Sequence, residues 1–424
     1  MSQTGKRGLF MDYSQHNMVA RYEQVELFSR GEYLRRINGV RDIMKQKNVD
    51  VALFLECAEE TYDHWLTGRR FLDYVIIPAD GRCFGVLYSE FDESSCMVSG
   101  KADYSRYILQ QERYEDPCDE MTFINRLPDE KIADLIASGN PSRIGLVLPD
   151  HMNAGLFDAL TAKLPKAEFA DITLDVALFK AVKSDEEMFA IKQSVKMQRK
   201  IFEALPQMIR PGVTPAQVNK EINFYLSELG SSGCVHGMLQ NKGNMDTPAI
   251  GFAGKDPHIP IGYGDRLFCM LEANGPGHQH VAFGRHFCMG DPSPAFAKSV
   301  EIAIKTHSYA VSLMKPDSLT LAQIAVKTRK YCNRLGYTLM ERVGWNWMHS
   351  LGAYYYEQYS LEDYSEDTPL RSNILLHCHP VTYRTYPEID PNLREDQMIL
   401  NTYFITEDGA QDIVGIPLDL IVLH

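Results

Sequence analysis

The pattern of apolar residues changes at residues 178–187, and this change divides the chain into two parts. Before it, short apolar runs alternate with segments of helical spacing. After it, Ser184 or Asp185 is placed to cap a helix, acidic residues fill the first turn, and apolar residues recur at helical spacing to about Leu205. The change predicts two domains, 1–177 and 178–424, and a length of 424 residues agrees with that number.

The first part is typical of an α/β domain, because strand-like and helix-like segments follow one another. The Asp80-Gly81 pair between two apolar runs predicts the turn of a hairpin. The predicted elements are a helix at 29–46, a strand at 49–55, hairpin strands at 74–78 and 83–88, and helices near 127–138 and 152–163 on either side of a strand at 143–148.

The second part predicts an α+β domain. After the helix that begins near Ser184, the chain contains a helix at 214–229, a glycine-rich and strand-like stretch at 231–290, a helix at 291–314 and a further helix that ends near 335. Helices are thus grouped around a central hairpin instead of alternating with strands. This order distinguishes the second domain from the first.

Charge and composition exclude several classes of partner. The chain carries 43 Lys and Arg against 56 Asp and Glu, a net charge of −13, which disfavours nucleic acid and anionic membranes as partners. No apolar stretch of 18 residues appears, so no membrane span is expected. Nine cysteines at irregular spacing, without a CxxC pair, indicate thiols in a reducing compartment, and we expect a cytoplasmic protein.

Seven short segments, in order along the chain, resemble motifs of the pita-bread family of creatinase, aminopeptidase P, prolidase and methionine aminopeptidase. This resemblance implies an α/β N-terminal domain followed by an α+β pita-bread catalytic domain. The matching segments are 183–187, 210–214, 253–258, 264–267, 285–293, 349–352 and 405–410.

The same resemblance implies that the family's metal site has been dismantled. Peptidases of the family hold two metal ions with two aspartates, one histidine and two glutamates. In this chain the aspartate positions fall at Met270 and Ala282, the glutamate positions at His379 and Leu400, and the histidine is kept as His349. A two-metal site needs several oxygen ligands, which methionine, alanine and leucine lack. We therefore expect no metal, with one transition metal on His258, Glu272, His349 and His379 as the alternative.

Within this family the chain is most similar to creatinase, which also lacks the metals and keeps a working pocket. The histidine before the central hairpin is the catalytic base in that enzyme, and His258 stands at its position. An imidazole suits proton transfer near neutral pH. Glu272, His349 and His379 are expected to hold the substrate and stabilise developing charge.

Other side chains are weaker candidates for binding substrate. His377 alternates with His379, so the two are expected on one face of a strand. Tyr356 falls where the family has a second histidine, and Arg384 offers a guanidinium to a carboxylate, although an exposed loop arginine is an equal alternative. His278 and His280, near the hairpin turn, are either two side chains on one face of the strand or part of a polar hairpin tip that is exposed to water.

In the first domain, residues 65–71 resemble the segment that creatinase-type dimers insert into the partner's active site. This implies a homodimer in which Trp65 lines the pocket and Arg69 or Arg70 binds a substrate carboxylate. Two exposed cations after a turn glycine are the competing interpretation.

The sequence thus predicts a creatinase-like, metal-independent hydrolase that cleaves a C–N bond of a small polar metabolite, guanidino or amino-acid-like, with His258 as proton shuttle. Three alternatives stay open at this point: a lyase that eliminates a sulfur or nitrogen leaving group from a small zwitterion, a metal-dependent X-Pro dipeptidase, and a non-catalytic peptidase-like binding protein. Fold alone does not decide between them.

Overall fold

The computed structural model describes residues 28–55, 62–68, 72–87, 120–124, 127–231, 234–246, 254–340, 347–352, 356–360, 369–388 and 394–424. Two compact units separate between Lys180 and Ala181, three residues after the boundary predicted at 177. Among the described helices, none is long and apolar enough to cross a membrane.

The first unit is built on a mixed six-stranded sheet with the order β4-β3-β2-β1-β5-β6. Its helices are α1 (Arg30–Lys47), α2 (Tyr62–Thr67), α3 (Asp129–Ala137), α4 (Ala154–Lys163) and α5 (Thr173–Ala181). Its strands are β1 (Val51–Phe54), β2 (Leu72–Pro78), β3 (Cys83–Leu87), β4 (Met121–Ile124), β5 (Arg143–Val147) and β6 (Glu168–Asp171).

Local sequence signals account for these elements. Ser29 caps α1 by accepting a hydrogen bond from the Glu32 amide at 3.2 Å. Strands β2 and β3 pair antiparallel, and Gly81 in the turn between them has a φ of 93°, which glycine adopts without strain. The predicted hairpin is therefore confirmed.

The second unit contains three sheets, with the orders β18-β9-β8-β7, β12-β11-β13-β16-β17 and β10-β14-β15. Its helices are α6 (Asp185–Met208), α7 (Pro215–Glu228), α8 (Pro294–Ser312) and α9 (Leu321–Arg334). Its strands are β7 (Cys234–Asn244), β8 (Asp265–Asn274), β9 (His280–Met289), β10 (Thr338–Leu339), β11 (Met348–Leu351), β12 (Tyr356–Ser360), β13 (Ile374–Cys378), β14 (Val381–Thr385), β15 (Arg394–Met398), β16 (Asn401–Thr406), β17 (Gly409–Asp412) and β18 (Ile421–Leu423).

Helix α6 begins where the sequence predicts. Ser184 accepts a hydrogen bond from the Glu187 amide at 3.1 Å, and the Glu187 carboxylate accepts one from the Ser184 amide at 2.9 Å, which together form a capping box. The reciprocal bonds satisfy two amides that would otherwise lack a partner at the start of the helix.

The buried face of α6 holds the β8–β9 hairpin in place. The Gln198 amide donates to the carbonyls of Ala273 and Val281, at 2.7 and 2.9 Å, so one side chain binds both strands near the turn. One helical turn earlier, the Ser194 hydroxyl donates to the Gln279 carbonyl at 2.9 Å. Phe202 then packs against Phe283, with ring centroids 5.5 Å apart. The strand that carries Glu272 is thereby fixed against a helix.

The turn of this hairpin predicts a measurable packing effect. A Cβ added at Gly275 would lie 2.5 Å from the Ser194 hydroxyl oxygen and 2.9 Å from its Cα. We expect Gly275→Ala to destabilise the protein by about 1–3 kcal/mol, because helix and turn must move apart. Gly262→Ala is the control, since the nearest atom there lies at 3.8 Å. Urea denaturation of both variants tests this, and equal stability would contradict the tight contact.

Candidate active site

Three buried histidines lie together in the second unit: His349, His377 and His379, which we call the histidine cluster. Nitrogen atoms of the three rings lie within 4.8 Å of one another. Their ring centroids are 5.1 Å apart for His349 and His377, 5.4 Å for His349 and His379, and 4.8 Å for His377 and His379. Each side chain is at most 6% exposed.

Strand register brings these rings together. In the antiparallel pair β11 and β13, His349 stands directly opposite His377. Side chains in such positions share a face and lie close to each other. His379 comes directly after β13, two residues after His377, and its amide donates to the Trp347 carbonyl at 2.9 Å. The alternation of His377 and His379 in the sequence therefore correctly predicts that they share a face.

Glu272 approaches the cluster from the four-stranded sheet β18-β9-β8-β7. It lies on β8 opposite Ala282 on β9, and it is 4% exposed. Its Oε1 atom lies 3.9 Å from Nε2 of His377. The structure thus combines one buried carboxylate with three imidazoles. Glu272 belongs to the sheet that contains β8, and His377 belongs to the sheet that contains β13.

Thr402 links the two sheets at this point. Its hydroxyl donates to the Ala282 carbonyl at 2.6 Å and accepts from the Ala282 amide at 3.2 Å. The same oxygen lies 3.4 Å from Nδ1 of His377, its cross-strand partner. Sequence reasoning missed this residue. The sequence feature that could have indicated Thr402 is its position two residues after Leu400, because alternate residues of an extended segment lie on the same face.

Two more buried histidines surround the cluster. His280 is fully buried on β9, two residues before Ala282, so it lies on the same face of the strand as Ala282 and is not part of an exposed tip. His307 extends from α8, and its ring nitrogens lie 2.8 Å from the Tyr403 hydroxyl and 3.1 Å from the Ile399 carbonyl. His278 is half-buried at the turn. His307 was not predicted, because nothing in the sequence of α8 sets it apart from a core residue.

Burial favours the neutral form of two of these imidazoles, those of His377 and His307. It lowers the pKa of His377 well below its usual value, and the neighbouring rings of His379, His349, His280 and His307 lower it further. Burial also lowers the pKa of His307 to about 3. At neutral pH, His377 and His307 therefore act through lone pairs and N–H groups and not as cations.

The structure does not bring His258 into the cluster. This residue is exposed in the turn after Asp256, whose carboxylate accepts a hydrogen bond from the His258 amide at 2.9 Å. Its ring is not among the nitrogens that gather within 4.8 Å. The turn leaves the imidazole of His258 in solvent, and a pocket shared by His258 and Glu272 stays a prediction.

Trp65 is a core residue of the first unit and not a pocket residue. It is 1% exposed, its ring packs edge-on against Phe179 and Tyr62, and its carbonyl accepts a hydrogen bond from Arg36 at 2.7 Å. A side chain enclosed in this way cannot reach a partner's site. Arg69 and Arg70 lie outside the described residues, and the homodimer stays a prediction.

Of the two remaining candidates, only Arg384 has a side chain that the structure describes. Arg384 is exposed on β14, in the small sheet, and its guanidinium lies 5.4 Å from the Tyr386 ring centre. The loop interpretation was wrong, since β14 is a strand, but the exposure matches a solvated arginine. Tyr356 is the first residue of β12, which pairs with β11. Its side chain lies outside the part of the chain that the structure describes.

Comparisons with known proteins identify the family. Residues 190–407 match the model of metallopeptidase family M24, which covers half of the chain. The chain belongs to metallopeptidase family M24. The resemblance inferred from the sequence motifs is confirmed.

Individual M24-like proteins resemble the chain over most of its length. The hydrolase/peptidase y4tL of Sinorhizobium fredii is 23% identical over 417 residues, which cover 94% of this chain and 98% of that protein. The Xaa-Pro dipeptidase from Bacillus anthracis superposes with a TM-score of 0.71 at 19% identity and covers 92% of this chain and all of its own. The prolidase from Pyrococcus horikoshii gives 0.70 at 17% identity, with 91% and 100% covered. The pita-bread fold with an N-terminal domain is thus shown.

The residues present do not fit the two-metal centre that the M24 family name implies. Met270, Ala282 and Leu400, which the motifs place at three of the five ligand positions, are at most 1% exposed and carry no ligand atom suited to a hard cation. Met270 and Ala282 lie on the paired strands β8 and β9. The chain therefore keeps the family's fold and has lost its set of oxygen ligands.

Proposed function

We propose that the protein is a hydrolase that cleaves a C–N bond of a small polar metabolite at the site formed by Glu272 and the histidine cluster. The observation that carries this proposal is the buried carboxylate 3.9 Å from a buried imidazole. The resemblance to the family's peptidases implies that His349 and His379, in the same cluster, stand at former metal-ligand positions. A carboxylate in such a setting is suited to accept a proton from an attacking water molecule.

The roles divide according to charge. Glu272 accepts the proton of the water molecule that attacks the carbon of the C–N bond, and it then passes this proton to the nitrogen, which leaves as the amine when the C–N bond breaks. The histidine cluster stabilises the negative charge that develops on the substrate. Glu272 thus takes the role that the sequence analysis gave to His258, because His258 is exposed and Glu272 is buried beside the cluster.

A metal-dependent X-Pro dipeptidase is the weaker interpretation. Dinuclear peptidases rely on bridging carboxylates, and the apolar side chains of Met270, Ala282 and Leu400 replace three of the five ligands. The substrate is therefore sought among small zwitterions with guanidino or amino groups.

A substrate screen tests the proposal. The purified protein is incubated with guanidino acids, betaines, sulfonium zwitterions and X-Pro dipeptides, and products are followed by mass spectrometry alongside thermal-shift measurements. We expect hydrolysis of a guanidino or amino compound, with water incorporated from an H₂¹⁸O label. Products without the label would indicate elimination, cleavage of X-Pro dipeptides alone would indicate a dipeptidase, and binding without turnover would indicate a non-catalytic protein. Each of these three results would overturn the proposal.

A further inference from the structure

We infer that the histidine cluster binds one divalent transition-metal ion through His349, His377 and His379. This site differs from the family's dinuclear centre in ligand chemistry and in number of ions. It goes beyond the proposed function, since it depends on the geometry of the cluster and not on which reaction the pocket performs.

The spacing of the cluster suits one ion. A metal bound by imidazole lies about 2.0–2.1 Å from each nitrogen, so tetrahedral ligand atoms are about 3.4 Å apart. The ligand nitrogens here lie within 4.8 Å of one another. Shifts of about 1 Å by each ring would bring all three to coordination distance. The pairing of β11 and β13 holds the backbone of His349 and His377 in place.

Hydrogen bonding prepares His377 to act as a ligand. The Thr402 hydroxyl gives its single proton to the Ala282 carbonyl, so toward His377 it can only accept. The proton of neutral His377 is therefore placed on Nδ1, and Nε2 carries the lone pair. Among the described residues Nε2 has no hydrogen-bond partner, although the side chain is 1% exposed.

His349 is prepared in the same way. Its Nδ1 lies 3.1 Å from the Ser350 carbonyl, which can only accept, so Nδ1 carries the proton and Nε2 the lone pair. Metal-binding histidines regularly donate their second N–H to a carbonyl or other acceptor, which fixes the tautomer and the ring orientation. Thr402 and Ser350 supply both such acceptors.

Charge and ligand type define the class of ion. Imidazole ligands favour zinc, iron, nickel and copper over magnesium and calcium. A divalent ion among buried neutral rings needs a negative group nearby, and Glu272 lies 3.9 Å from His377. The carboxylate offsets part of the ionic charge without belonging to the compact group of three rings.

The test is metal binding, measured without substrate. Protein freed of metal by dialysis against a chelator is titrated with Zn²⁺, Ni²⁺ and Co²⁺ by calorimetry, and the bound ion is counted by elemental analysis. We expect one ion per chain and a rise in thermal midpoint of about 5–10 °C at a hundredfold excess over Kd. His377→Gln and His379→Gln should each weaken binding by at least roughly 10²-fold. His286→Gln, at a buried histidine that contacts the Met398 carbonyl, is the matched control and should bind like the wild type.

A second pair of variants keeps the test decisive if a ligand variant does not fold. Thr402→Val removes the acceptor from His377 and should weaken binding about 10–100-fold, whereas Thr402→Ser keeps the hydroxyl and should restore it. Absence of binding by the wild type, two ions per chain held by the cluster, or unchanged binding in folded His377→Gln or Thr402→Val would overturn the inference. Turnover by a metal-free wild type would support the proposed hydrolase independently of the metal site. Metal binding without turnover would support the metal site independently of the proposed hydrolase.

Discussion

Replacing Glu272 with glutamine is expected to lower turnover of the screened substrate by roughly 10²- to 10⁴-fold, the usual contribution of a positioned acid or base. Glutamine has nearly the same size and keeps a polar group beside His377, but it cannot accept the proton of an attacking water. The thermal midpoint should stay close to that of the wild type, because the buried volume on β8 is unchanged. Steady-state kinetics and the bound metal content are measured on the same preparation.

The control for this experiment is Glu203→Gln, an exposed glutamate on α6 whose side chain is 64% accessible. It should leave kcat within twofold, about the scatter expected of a surface substitution. His258→Ala provides the opposing arm. If His258→Ala loses a hundredfold or more while Glu272→Gln keeps near-normal turnover, the base is the one that the sequence motif indicated and the assignment of Glu272 is wrong.

Replacing Arg285 with leucine is expected to destabilise the protein by about 3–5 kcal/mol. The side chain is fully buried and donates to the carbonyls of Pro417, Gly284, Leu400 and Ile416 and to the side-chain oxygen of Asn401, at 2.7–2.9 Å. Burial lowers the pKa of Arg285 to about 10, partly offset by Tyr403 and Asp412, so the guanidinium stays charged at neutral pH. Leucine would fill the volume and deprive buried acceptors of their donors.

Differential scanning calorimetry measures this effect. Arg334→Leu is the matched control, because Arg334 is exposed at the end of α9, and we expect a change of at most about 0.5 kcal/mol. Arg285→Lys should fall between the two variants, since lysine keeps the charge but cannot reach every acceptor. An Arg285→Leu protein as stable as the control would show that the network contributes little to folding.

The fold was predictable because its signals are local. Capping residues such as Ser184, the Asp80-Gly81 turn and the change of apolar period are read within a few residues, and the observed elements agree with them to within a few positions. Family motifs then supplied the architecture. Once the fold was recognised, the order of the strands followed from the family, without a separate prediction of which residues pair.

The site was only partly predictable, since its members are decided by register and by the path of turns. His349 and His379 were placed by motifs, but the opposition of His349 and His377 depends on pairing between strands 28 residues apart in sequence (377 − 349). His258 was placed by a motif as well, yet a turn held by Asp256 leaves it in solvent. The motif at 65–71 placed Trp65 in a partner's pocket, and only its packing against Phe179 shows that it is a core residue.

The contacts of Arg285 also impose an order on folding. Its partners outside β9 lie 115–132 residues away along the chain, in two segments, around Leu400 and around Ile416. Such distant contacts form only after a long loop has closed, and they make folding slow. During synthesis the first unit can fold while the second still waits for those segments to emerge. The network around Arg285, and with it the connection of β9 to the segments near Leu400 and Ile416, is therefore completed among the last events of folding.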